Sequence, residues 1–508
     1  MSHPENDPVV QAVLWRRDAL VAFPEEMQDG NDWRQSMKLL LRFAGLLGLM
    51  LMVTNLSTAA AVPGWTQFPV TEYGATGNGK TLDTGAVQAA INACAKQGGG
   101  TVSLPAGVYL SGTLELKSCI VLRLEPGAVL RGSGDLKDYR DNGFKHNEMG
   151  ETTSLLYAID QSDIRITGGG VIDLNDQPFM HWDQPRPALP PAEAAQLSER
   201  QRKECVVQPA KRPSQPIFFQ NCRRLRLDDI TVRNAPCWTI SINSSRDIRI
   251  DHLLIENNPV VPNNDGIHFC SSQDIVVSDC IIRAGDDCLA FTGITNWDGI
   301  CERIVVTNCS LSAKSAGVRL GHLASKVRNA VFSNLVISDS NRGFAIQAGD
   351  GGWVENIQVS NVIMDTRIIC GEWWGKGEPL LIATSGSGRI KDVSFSHIRS
   401  HSDNSIVVVG NKYSVSNIAL QDWDLTLRYG LNRPLYGRFI DVQPAPTRPA
   451  PDAEKQIPWL YAADVRELLV RDIRFRSEDT PSRDVTASAS NVIWAPGTSP
   501  ELISLANQ

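Results

Sequence analysis

From about residue 160 onward, hydrophobic and polar positions alternate in a short phrase that keeps returning. It runs apolar, x, apolar, then a pair rich in Asn, Asp or Ser, then two or three more apolar residues. It reads IRITGGGV from Ile164, LRLDDITV from Leu225, IRIDHLLI from Ile248, IVVSDCII from Ile275 and IVVTNCSL from Ile304. It continues as AVFSNLVI from Ala330, IQVSNVIM from Ile357, VSFSHIRS from Val393, IALQDWDL from Ile418 and LLVRDIRF from Leu468. From Leu225 the starting points lie 23, 27, 29, 26, 27, 36, 25 and 50 residues apart, the last interval reading as about two units. The alternation makes each phrase two short strands, and the polar pair makes the bend between them.

A period in the twenties, with strands and no helical pattern between them, marks a right-handed parallel β-helix. A leucine-rich repeat shares the length but needs a Leu-x-x-Leu-x-Leu frame that this chain lacks. The expected fold class is all-β: a single-stranded right-handed parallel β-helix, or solenoid, with a short N-terminal capping helix. Residues 83–97 predict that cap, with Asp83 as N-cap candidate, Ala-rich helix formers and a stop at Gly98-Gly99-Gly100. Stacked coils place equivalent residues about 4.7–4.9 Å apart. Cys280 and Cys309 fall at equivalent places in neighbouring coils and read as part of the apolar interior. Two stretches break the repeat. Residues 175–213, Pro-rich and then charged, read as an excursion loop with one short helix, and Pro444–Pro451 as a loop before the last coil. Each would either wall a groove or decorate the surface.

The 508 residues include 49 Lys+Arg against 56 Asp+Glu, a net charge of −7, which argues against a nucleic-acid or membrane-surface protein. A local basic cleft remains compatible with that balance. Eleven cysteines without a Cys-x-x-Cys pair exclude a disulfide-dense scaffold and leave a zinc or redox site nothing to stand on. From Met37, a basic start (Lys38, Arg42), an apolar run Phe43–Val53 and the small residues Ala59-Ala60-Ala61 have the form of a secretory signal peptide. The apolar run is short for a membrane span, and a type II anchor is the lesser alternative. The chain thus divides into an N-terminal extension (1–36) ahead of a true start at Met37, a signal peptide (37–61) and a β-helix domain (62–508). The mature protein is expected to be secreted or periplasmic, monomeric, and without membrane or nucleic-acid partners.

Two acidic clusters stand out along the repeat: PNNDGIHF at 262–269 and AGDDCLAF at 284–291. When Ile267 and Phe269 are matched to Leu289 and Phe291 as inward residues, Asp265 falls one rung from Asp287, with Asp286 beside it. Three carboxylates then converge on one face of adjacent coils, and at least one pKa should rise. Hydrolysis of a glycosidic bond needs two carboxyl functions, one giving a proton to the leaving oxygen and one activating water. Inverting enzymes separate them by about 6.5–9.5 Å. The same residues would also suit a calcium site or turn-capping aspartates.

On these motifs the sequence resembles the polygalacturonases, glycoside hydrolase family 28. The likeness covers nearly all of 68–475, including FPVTEYGATGNGKTLDTGAVQAAINAC, GGGTVSLPAGVYLSGTLELKS, GGGVIDL and RNAPCWTI. Asn263-Asn264-Asp265 stands for the family's Asn-Thr-Asp, and Gly285-Asp286-Asp287 for its Gly-Asp-Asp. The resemblance implies inverting hydrolysis of pectic polysaccharide or oligosaccharide without cofactor or metal. Asp286 would be the general acid, with Asp265 and Asp287 holding and deprotonating the water. Two family motifs are missing. Ala316 stands where the family has the histidine of Gly-His-Gly, His322 lies six positions later, and Ala345-Ile346-Gln347 replaces Arg-Ile-Lys.

Register offers one compensation. Val318 and Leu320 point inward, so Arg319 points outward in the column of Ala345, where it would bind a uronate or lower a neighbouring Asp pKa. The substrate-binding candidates are Arg319, His322, Gln347, Asn263, Trp373 and Trp374. Of the two tryptophans in GEWWGKGEP, one is expected to stack on sugar and the other to pack on the solenoid wall. The rivals to a polygalacturonase-like hydrolase are a rhamnogalacturonan- or rhamnoside-directed hydrolase of the same family, a polysaccharide lyase, and a non-catalytic carbohydrate-binding solenoid.

Overall fold

A computed structural model describes residues 66–146, 150–185, 199, 203–293, 299–369, 374–412, 414–428, 459–478 and 486–494. The extension and signal-peptide segments, Trp373 and Pro444–Pro451 lie outside the described residues, as does most of the stretch expected to form a short helix in the excursion.

Each recurring phrase forms two strands, and the second member of its polar pair makes the bend. Asp229, His252, Asp279, Asn308, Asn334, Asn361, His397, Asp422 and Asp472 all take left-handed backbone angles, with φ between 46° and 56°. Asn and Asp reach that region at lower cost than other residues bearing a Cβ. Their side chains also bond from coil to coil: Asn361 donates to Asn334 and Asn334 to Asn308, each at 3.3 Å, and Asn308 donates to Asp279 at 3.2 Å.

Successive coils pair in parallel, building a right-handed β-helix with three faces. One face, the cleft sheet, includes β1 (Ile240–Asn243), β2 (Ile267–Cys270), β3 (Leu289–Thr292), β4 (Ala316–Leu320), β5 (Arg342–Ala348) and β6 (Leu380–Thr384). The second sheet carries the first half of each phrase, such as Arg223–Asp228 and Arg246–Asp251, and the third sheet the second half, such as Thr231–Arg233 and Leu254–Glu256. The matched inward residues are in register, Ile267 opposite Leu289 and Phe269 opposite Phe291. Inside, Phe269 stacks on Phe291 with ring centroids 5.0 Å apart, and the aromatic file continues through Phe332, Phe344 and Phe395 to Trp423. Each such fully buried side chain contributes roughly 1.5–3 kcal/mol. Cys280 and Cys309 are buried free thiols in this interior.

The capping helix, α1 (Thr84–Lys96), buries Val87, Ala90, Ile91 and Cys94 against the first coils. Asp83 precedes it but makes no side-chain cap; its carboxylate instead accepts from Thr76 and Gly77 and ties down the preceding turn. One repeat length is corrected. Ile418 pairs directly with Leu468, so the 50-residue interval is a single rung with a long insertion and not two units. No helix among the described residues is long and apolar enough to cross a membrane.

Candidate active site

The two acidic motifs are bends that lead into β2 and β3. Their register, continued two residues back, sets Asp265 one rung from Asp287, and Gly266 donates its N–H to the Asp287 carbonyl at 2.8 Å. Asp286 sits in the bend before β3, which turns consecutive aspartates toward one region instead of opposite faces. The motifs are stapled together by Asn264, fully buried, whose side chain accepts from the N–H of Gly285 at 2.7 Å and donates to the Asn258 carbonyl at 2.8 Å. A Cβ at Gly285 would meet that Asn264 oxygen at 2.4 Å, so the close approach requires glycine.

One oxygen from each of Asp265, Asp286 and Asp287 lies within 4.8 Å of the others. Such a trio could hold a divalent cation, but a guanidinium already occupies the side facing two of its members. Arg319 Nε donates to Asp287 Oδ2, and Arg319 Nη2 lies 3.7 Å from Asp265 Oδ2. The other Asp287 oxygen accepts from the Ala316 N–H at 2.9 Å. Asp287 and Asp265 are buried, whereas Asp286 keeps partial exposure. The Asp286 carboxyl is pushed well above the ordinary carboxylate range, by burial first and then by the negative charges of Asp265 and Asp287, with Arg319 pulling the other way.

Sequence reasoning missed a supporting set. His268, 1% exposed, turns Nδ1 toward Asp265 Oδ2 at 3.5 Å and Nε2 toward Thr292 Oγ1 at 2.8 Å, and its ring lies 3.8 Å from that of Trp238. Its place between inward Ile267 and Phe269 was a usable signal. Arg212 carried none. It arrives from the excursion and donates to the carbonyls of Pro236 and Pro262 at 2.6 and 2.7 Å and to the Asn263 side chain at 3.1 Å. The described end of the excursion therefore runs beside the first acidic motif as a wall. Asn263, expected to meet substrate, spends its side-chain oxygen on this anchor.

The sequence model of glycosyl hydrolases family 28 matches residues 94–433. The chain belongs to that family. It is 30% identical over 271 residues to an exo-poly-alpha-D-galacturonosidase of Dickeya chrysanthemi, covering 47% of this chain and 43% of that protein's length. It is 24% identical over 362 residues to polygalacturonase-2 of Solanum lycopersicum, covering 67% of this chain and 70% of that one. Its fold matches a Yersinia enterocolitica family 28 exopolygalacturonase with a TM-score of 0.61 at 21% identity, over 84% of this chain and 77% of that chain.

Against the family 28 motifs, Ala316 occupies the rung above Asp287 and is itself followed one rung on by Arg342. Arg342 is buried, with Nε 3.5 Å from Glu378 Oε2. Arg319 pairs in register with Ala345, as expected, although the cleft buries it. Gln347 lies buried two residues farther along β5, and His322 is buried just past the end of β4. The half-buried Trp374 places its ring centroid 6.0 Å from the Arg319 guanidinium carbon. Its carbonyl accepts from Asn341 at 3.2 Å, which fixes the loop to the edge of β5.

Proposed function

We propose that this family 28 protein hydrolyses glycosidic bonds in pectic polysaccharide or its oligomers. The observation that carries the reading is the Asp286 carboxyl: it is partly exposed, holds its proton above the usual range, and lies beside two carboxylates that share Arg319. Asp286 gives its proton to the glycosidic oxygen as the bond to the anomeric carbon breaks. Asp265 and Asp287 orient a water molecule and take its proton as its oxygen bonds to that carbon. Both Asp287 oxygens are engaged by the Ala316 N–H and Arg319, which suits it to holding water better than to covalent attack. Inversion follows from that assignment and from the family likeness. Arg319 and Trp374 form the subsite, a guanidinium for a carboxylate beside an aromatic face for a sugar ring. His322 and Gln347 extend it along the strands. The leader at 37–61 supports export of the mature protein.

A rhamnogalacturonan-directed activity is the second reading, favoured by Ala316 and Ala345 where the family carries cations. Incubation with polygalacturonate, rhamnogalacturonan and their oligomers separates the two by which substrate yields products. Saturated products, labelled from heavy-oxygen water and first formed with inverted anomeric configuration, are expected. An unsaturated, ultraviolet-absorbing product would make the protein a lyase, and no product from any substrate would leave a binding solenoid.

A further inference from the structure

The outer face of the second sheet carries a charge pattern that the fold does not need. Arg223–Asp228 and Arg246–Asp251 are neighbouring rungs, with Arg223 opposite Arg246 and Arg226 opposite Arg249. On the preceding rung, Arg165 lies opposite Arg226. All five arginines are exposed. Like charges directly opposite on adjacent strands destabilise a sheet, and rungs are only about 4.7–4.9 Å apart.

The carboxylates of this face relieve the array only in part. Asp228 is held by Arg165 at 2.6 and 2.8 Å, Asp163 by Arg224 at 2.6 Å and Glu125 by Arg123 at 2.7 Å. Asp251 faces His252 at 3.2 Å, and Asp247 comes only within 4.0 Å of Arg249. Among the described residues, Arg223, Arg226 and Arg246 form no salt bridge. A shallow groove of about 810 Å³ crosses the same face, lined by Thr101, Arg123, Arg165, Arg224 and Arg226 and by the carboxylates Glu125, Asp163 and Asp247, among others. Those residues belong to five successive rungs, so the groove follows the solenoid axis for about 20 Å.

We propose that this face is a second, non-catalytic binding groove for an extended polyuronate chain. An open groove along the axis suits a linear polymer and not an enclosed small molecule. Arg165, Arg226 and Arg249 repeat at rung spacing, which suits a polymer with a carboxylate on each unit, and Arg226, with no carboxylate of its own, can hold one in bidentate fashion. The groove lining has no aromatic side chain on which nucleic-acid bases would stack. The choice of a uronate over other polyanions rests on the pectic reading above. Tethering the polymer here raises its effective concentration at the cleft, so the effect should appear with long chains and vanish with short ones.

The test is affinity electrophoresis of the full chain in gels containing polygalacturonate, fully methyl-esterified pectin or heparin, with Asp286→Asn as background so that nothing is hydrolysed. Retardation by polygalacturonate alone is expected, falling at least about tenfold in affinity in Arg226→Gln/Arg249→Gln. That double variant should melt at or above the parent's temperature, since it removes opposed like charges. In the active enzyme it should raise KM for long polygalacturonate about tenfold and leave KM for a short oligomer unchanged. Retardation that survives the double substitution, or equal retardation by heparin, overturns the inference. Arginine-dependent retardation of a protein that hydrolyses nothing would sustain the groove while removing the hydrolase reading.

Discussion

The third sheet and the cleft sheet both stack charged residues on successive rungs, with opposite results. On the third sheet the column runs Arg131, Asp173, Arg233, Glu256, Arg283, each in register with the next, so the charges alternate in sign. Burial alone would raise the Asp173 carboxyl, but the Asn234 side chain, Arg233 and Arg131 together hold it below the ordinary range. In the cleft the column runs Asp265, Asp287, Ala316, with Asp286 alongside, and one guanidinium bridges Asp265 and Asp287 while Asp286 has no cation in contact among the described residues. There Asp286 is driven upward. A buried aspartate by itself therefore says little in a solenoid. An excess of carboxylates over cations, held in place by the rungs, marks the place where a proton is kept ready.

Asp286→Asn breaks this comparison most sharply. Activity should fall by about 10³-fold or more in kcat, since the amide has no proton to give. The same substitution should stabilise the fold at neutral pH. Asp286 has a folded pKa above its unfolded one, so the stability it brings is complete below the unfolded value near 3.9 and is lost as pH rises through the raised value. Above the unfolded value the raised carboxyl disfavours the folded state, a cost that asparagine does not carry. A melting series from pH 4 to 8 should show the variant gaining on the wild type as pH rises. A variant both inactive and less stable at pH 7 would place Asp286 among structural aspartates like Asp173.

Much of this contrast could be read before any coordinates. Alternation fixed which residues face inward, so matching Ile267 and Phe269 to Leu289 and Phe291 placed Asp265 one rung from Asp287, as found. The polar pair announced a bend because its second member must reach left-handed angles that suit Asn and Asp. Interval length misled at Ile418, since a parallel rung constrains where a chain returns and not how far it wanders first. Arg212 stayed invisible because a residue within a Pro-rich excursion has no periodic frame to show where it lands.

Arg319 tests the other side of the comparison, the shared cation. Arg319→Ala leaves Asp287 buried without its guanidinium, a change that costs roughly 3–5 kcal/mol when a buried pair loses one partner. The expected result is a loss of about 10²-fold in kcat/KM on the true substrate, together with a clear drop in melting temperature. Arg319→Lys keeps the charge while losing the planar fork, so it should recover stability more than activity. Little loss of kcat/KM in Arg319→Ala would show that the cleft does not depend on this cation.

The smallest effects should come from Asp173 and Asp176, three residues apart on the third sheet and the turn that follows it. Asp173 lies between Arg131 and Arg233, and its folded pKa is lowered, so its stability is present above the unfolded value and lost as pH falls through the folded one. Asp173→Asn should therefore cost about 1–3 kcal/mol at pH 7, read by denaturant unfolding. Asp176 is buried at 1% exposure and one of its oxygens has no hydrogen-bond partner. Burial, followed by the negative charge of Asp173, pushes its carboxyl up to about 6. The sign reverses: its stability is complete below about 3.9 and is lost as pH rises through about 6. Asp176→Asn should raise the melting temperature by a few °C at pH 8, leave it unchanged at pH 4, and spare activity at both. A loss of stability at pH 8 would mean that Asp176 is compensated like Asp173, and that an uncompensated carboxylate is confined to the cleft.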